Sequence, residues 1–153
     1  MSLREAQQEI TRRLHRLDPK TARHLATFAC VLARVAHADL HVAETESAEM
    51  RRRVAALAEI SADEAALVVE IAGEQSRKLG EAEKHAVTRE FRRISNAEQR
   101  TELVFCLYAV AAADGKVSAS ETQEIGAITE ELGVTRTSPS GIRADKRFGA
   151  TTA

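Results

Sequence analysis

A chain of 153 residues is one domain's worth, and at this size folding buries about 68 to 70% of the surface the unfolded chain exposes, so the core needs no disulfide or metal staple. Twenty-two basic side chains against 23 acidic ones give no global field to attract nucleic acid or an anionic membrane. Four Phe, one Tyr and no Trp supply no stacking platform for single strands, and Cys30 and Cys106, both in apolar helical runs, read as buried reduced thiols.

The first apolar series, Leu3, Ala6, Ile10, Leu14 and Leu17, steps by three and four and predicts an amphipathic helix. Asp18-Pro19 stops it and opens the next helix, with Asp18 as N-cap and Pro19 at N1, where the missing N–H costs nothing. From Ala22 to Ala38 apolar residues lie nearly all round, which predicts a central helix. The chain restarts near Ala43, with Met50, Val54 and Leu57 inward, and ends around Glu59. Ser61 to Glu64 is a capping box that launches a helix with Leu67, Val68 and Ile71 inward, ending at Gly80 as a C-cap. Glu81 to Ile94, with the single stripe Val87, Phe91 and Ile94, reads as a peripheral cover. Ser95 to Glu98 is a second capping box and launches another apolar helix, Glu98 to Ala113. Ser118 to Glu121 is a third, opening a last helix with Ile125, Ile128 and Leu132 that stops at Gly133. No stretch alternates as a strand does. The expectation is all-α: a single compact domain of about seven helices over 1–134, with 135–153 a flexible or loosely docked tail.

Sliding the chain on itself by 75 residues pairs Val35 with Val110, Ala36 with Ala111, Asp39 with Asp114, Val42 with Val117, Glu46 with Glu121 and Glu49 with Glu124. The chain therefore carries two pseudo-repeated helical hairpins. Each turn begins with an aspartate at the negative end of a helix macrodipole, at a cost of roughly 0.3 to 1 kcal/mol. In the second copy turn chemistry accounts for it: Asp114 can close an Asx-turn, Gly115 can turn left-handed and Ser118 caps with Glu121. In the first, Leu40 replaces the glycine and Ala43 the cap, yet Asp39 and Glu46 remain.

An EF-hand is excluded, because counting from Asp114 puts Ala119 where the glycine belongs and Ile125 where the bidentate glutamate belongs. Asp39, Glu46, Asp114 and Glu121, if brought together, would supply hard oxygen ligands for calcium, magnesium or manganese, with Glu49 and Glu124 on the same helical faces as outer residues. His37 and His41 around Asp39 form a weaker zinc option, since the second copy has Ala112 and Lys116 there. Arg51, Arg52 and Arg53 point about 100° apart and make no basic face. There is no Gly-x-Ser-x-Gly, HExxH or phosphate-cradling glycine loop. The longest apolar run, Leu103 to Ala113, falls short of the roughly 20 residues of a bilayer span, and the first residues lack an apolar signal region. A cytoplasmic protein without direct membrane insertion is expected.

The two aspartate-to-glutamate turns, with Ala113-Asp114-Gly115-x-Val117-Ser118 in the second and His85-Ala-Val-Thr-Arg through Arg100 ahead of it, resemble the TerB family, named for tellurite resistance. The resemblance runs from about Ala22 to Val134 and is nearest the stand-alone bacterial branch with two motif copies. Leu40 and Ala43 are its departures. It implies a compact helical, non-enzymatic domain in a metal or tellurite stress context, with the acidic residues Asp39, Glu46, Asp114 and Glu121 as metal ligands. Three functions stay open at this level: a divalent-cation or partner-binding domain, an interaction or homo-oligomerisation module whose acidic residues only shape turns and caps, and a hydrolase using a metal-bound water.

Overall fold

The structure, a computed structural model, describes residues 2–38 and 43–134. The described residues form seven helices and no strand: α1 (Ser2–Arg13), α2 (Pro19–Ala36), α3 (Glu44–Ala58), α4 (Ala62–Lys78), α5 (Glu81–Ile94), α6 (Ala97–Ala111) and α7 (Ala119–Leu132). The all-α expectation holds, and no helix among the described residues is long and apolar enough to cross a membrane. The segment expected as a tail, 135–153, lies outside the described residues.

The start of α2 is fixed as the sequence dictates, with Asp18 accepting the Thr21 N–H at 2.7 Å and Pro19 in the first turn. Every residue of α2 from Leu25 to Ala36 is buried. A helix apolar on all sides has no face for water, and α2 accordingly touches every other helix. Its Phe28 meets Phe91 of α5 with ring centroids 6.4 Å apart, and His24 lies 5.2 Å from the same ring.

The helix α5 covers the core along the expected single stripe, with Val87 and Phe91 buried, and truncating Phe91 to alanine should cost about 3 to 5 kcal/mol. Two local expectations are corrected. Gly80 does not end α4 as a left-handed C-cap. It has φ −83° and is the N-cap of α5, its N–H bonded to Glu83 Oε1 at 2.8 Å, because α5 begins one residue later. The cap of α6 is Asn96, not Ser95: the Asn96 carboxamide accepts the Gln99 N–H at 2.8 Å and Gln99 reciprocates at 2.9 Å. An amide oxygen followed three residues on by glutamine serves as well as serine with glutamate. Ser95 Oγ instead donates to the Phe91 carbonyl at 2.5 Å.

The duplication survives in the backbone. His37 and Ala112, 75 residues apart, end their helices with φ, ψ of −93°, 4° and −90°, 2°. Ala43 and Ser118 begin the next ones at −71°, 153° and −72°, 161°. Two hairpins, α2 to α3 and α6 to α7, thus deliver equivalent positions to equivalent helix starts.

Candidate functional site

At both helix starts the third helical residue is a glutamate, and both are buried: Glu46 is 3% exposed and Glu121 1%. Each is anchored by its own helix. Glu46 Oε1 accepts the Ala43 N–H at 3.0 Å, and Glu121 Oε1 accepts the Ser118 N–H at 2.9 Å while Ser118 Oγ takes the Glu121 N–H at 3.1 Å. The alanine in the first copy removes the hydroxyl half of the box and leaves the glutamate half in place. With one oxygen fixed to the backbone, each carboxyl is held in a set direction, and the two lie close enough for each to act on the other's charge.

Two buried carboxylates this close repel, and among the described residues no arginine or lysine is bonded to either. Burial pushes the Glu46 carboxyl up to about 7, reinforced by the Glu121 carboxyl beside it and by the charge of Asp114, against the opposing Ala43 N–H. Glu121 Oε2 is buried with no hydrogen-bond donor. A buried acceptor of this kind calls for a proton, a water or an ion.

Asp114 is exposed and forms the expected Asx-turn, its Oδ1 accepting the Lys116 N–H at 3.0 Å, with Gly115 at φ +90°. Val117 in the same turn is 39% exposed, the exposed large apolar residue of the described chain. Asp39 and His41 lie outside the described residues. His37 is half-buried beside Gly73 and Arg77 of α4, in a cleft of about 310 Å³. Burial, then the charges of Arg77 and Lys84, push its imidazole down, and its Nδ1 has no partner. Among the described residues no group of three or more His, Cys, Asp or Glu stands close enough to hold a metal ion.

The residues one turn further on behave differently. Glu49 takes Arg52 at 2.6 Å and Arg53 at 2.7 Å, and although burial opposes it, these bonds hold its carboxyl below the usual range. Glu124 bonds Arg34 of α2. Arg34 is 4% exposed and also reaches Glu131 at 3.1 Å and Thr88 Oγ1 at 2.8 Å, while Glu131 Oε2 lies 2.5 Å from His85 Nδ1. The inner pair of the duplication is therefore left uncompensated while the outer pair is neutralised by arginine. Sequence reasoning did not single out Arg34. Its signal was the one cation within the otherwise almost wholly apolar run from Leu25 to Ala36, which demands buried anions from elsewhere. Arg51, Arg52 and Arg53 are each occupied, by Glu44, by Glu49, and by Glu49 together with the Phe105 ring.

Comparison with curated proteins and with solved structures returns no match. A family model described as "Tellurite resistance protein TerB" matches residues 24–144, taking in both hairpins and the glutamate pair. The chain belongs to the TerB family.

Proposed function

We propose that this is a non-enzymatic domain that binds a divalent cation through the paired glutamates of its duplicated turns, in a metal or tellurite stress setting that is in keeping with the family's description as a tellurite resistance protein. The observation that carries the reading is the proximity of Glu46 and Glu121, two buried carboxyls fixed by backbone N–H groups, with no cation side chain bonded to them among the described residues and Glu121 Oε2 left without a partner. Structural ion pairs are neutralised, as Glu49 and Glu124 are; this pair is not. Asp114 and Asp39 would complete the oxygen set from the turns. Carboxylates alone suit calcium, magnesium or manganese, and zinc through His37 and His41 is the weaker choice because His37 faces the charge of Arg77.

The second reading, a protein-docking or self-associating module, rests on Val117, an apolar side chain exposed next to Asp114. A thermal scan of chelated protein separates the two. Calcium, magnesium, manganese and zinc are added in turn to the parent and to a Glu46→Gln, Glu121→Gln variant, in which glutamine still caps each helix. At a hundredfold excess over its dissociation constant the bound cation should stabilise the parent by about 2.7 kcal/mol, roughly 5 to 10 °C at this size, and leave the variant unmoved. Equal responses from both proteins to every cation would reject the cation site.

A further inference from the structure

At the end of α2 remote from the acidic turns lies a cleft of about 580 Å³ whose lining contains Lys20, Arg23 and Arg93 and no acidic residue. Pro19, His24 and Ile94 supply its less polar wall, with Gln7 and Thr21 beside them, and Gln99 in the first turn of α6 closes one side. That volume is in the range of small-molecule sites. We propose that this cleft binds a small organic phosphate, with the phosphoryl group held by Lys20, Arg23 and Arg93 and the carbon skeleton against Pro19, His24 and Ile94.

Three features support this. Glu90 is shared by Arg23 and by Arg93, the latter at 2.8 Å, so it fixes the direction of two guanidiniums while cancelling one charge. The Lys20 ammonium makes no direct hydrogen bond or ion pair among the described residues, and Asp18, the other neighbouring carboxylate, acts on it by charge while its oxygen is held by the Thr21 N–H. Secondly, Arg23 Nε is buried without an acceptor, a donor that the fold itself leaves unsatisfied. Finally, the positive ends of α2 and α6 both face the cleft. Their Thr21 and Gln99 N–H groups are already taken by Asp18 and Asn96, so the helices add field while the side chains make the contacts. With Glu90 and Asp18 beside them, the three cations leave one surplus positive charge, to which the two helix ends add their field, and arginine suits phosphate by its bidentate fork. His24 stays neutral near pH 7 because burial pushes it down, and packed on Phe91 it forms a rigid wall.

The adjoining cluster of Arg89, Arg92 and Arg100 shares Arg93 with this cleft but differs in its charge. Glu130 and Glu131 line it too, and Arg92 and Arg100 there donate to the backbone carbonyls of Glu131 and of Arg92 and Ser95.

Phenyl phosphate titrated into isotopically labelled protein should shift the amide resonances of Lys20, Thr21 and Gln99 saturably. Inorganic phosphate and benzoate should each bind at least tenfold more weakly. A Lys20→Gln, Arg93→Gln variant, in which Glu90 keeps Arg23, should melt as the parent does and lose at least tenfold in phenyl phosphate affinity. No saturable shift, shifts centred on Arg89 and Arg100, undiminished binding by a folded variant, or equal binding of either comparison anion would each overturn the assignment. Should the double variant fail to fold, Lys20→Gln alone is expected to lose at least threefold, and an unchanged affinity would count the same way.

Discussion

Glu46 and Glu121 stand 75 residues apart in sequence and carboxyl to carboxyl in the fold, each tied by one oxygen to the N–H that opens its helix. That relationship makes stability depend on pH. The folded-state value of Glu46, about 7, lies above its ordinary 4.5, so the folded chain holds a proton that the unfolded chain releases. The penalty is full above about pH 7 and disappears as pH falls through 4.5. In chelator, a Glu46→Gln variant should therefore be more stable than the parent at pH 8, by on the order of 2 kcal/mol, and equal to it near pH 4. Glu9, Asp18, Glu49 and Glu90 are held low, and His24 and His37 are pushed down. Those groups make the parent lose stability on acidification, but they are common to both proteins and cancel in the difference. Urea midpoints across that range give the measurement, and a difference that does not change with pH would contradict the contact.

Arg34 ties α2 to α5 and α7 through Thr88, Glu124 and Glu131. Burial works against its charge, and the bonds to Glu131 and Glu124 prevail, raising its pKa. Arg34→Ala leaves both carboxylates without their cation and should cost about 3 to 5 kcal/mol. Replacing all three charges, as Arg34→Met, Glu124→Gln and Glu131→Gln, should recover more than half of the loss, because no unpaired charge stays inside. A cost below about 1 kcal/mol for the alanine variant, read from urea midpoints, would show that the network is held by its surroundings rather than holding them.

Two glycines with positive φ should respond unequally to alanine. Gly115 at φ +90° has open space around it, so a methyl group meets only backbone strain of about 1 kcal/mol. Gly133 at φ +72° ends α7 under the Arg92 guanidinium, whose Nη2 would stand 2.7 Å from the new Cβ. Gly133→Ala should cost the same strain and also displace Arg92 from the Glu131 carbonyl it caps at 3.1 Å. The melting midpoint should fall further for Gly133→Ala, and the reverse order would refute this account of the helix end.

Much of this fold was written in local signals. The boxes at Ser61 and Ser118 and the stop at Gly133 each act over four or five residues, the apolar run of α2 is continuous in the chain, and each is where the sequence placed it. Where one residue type has two uses, local reading misassigned it: Gly80 could end one helix or begin the next, and Ser95 stood beside an equally good cap in Asn96. The glutamates were visible as a repeat, but nothing local says that two side chains 75 residues apart will touch. The Arg34 network has the same character, since its anions lie 90 and 97 residues away.

The distance along the chain between Glu46 and Glu121 has a kinetic side. α3 and α7 are joined through α2 and α6, so the two carboxyls come into register only after both hairpins have docked on the central helix. Contacts that close so long a loop are formed late. Whatever settles between those oxygens, proton or cation, acts chiefly on how long the folded molecule lasts and hardly on how quickly it is reached. Such a lock would lengthen the life of each folded copy without altering the steps that assemble it.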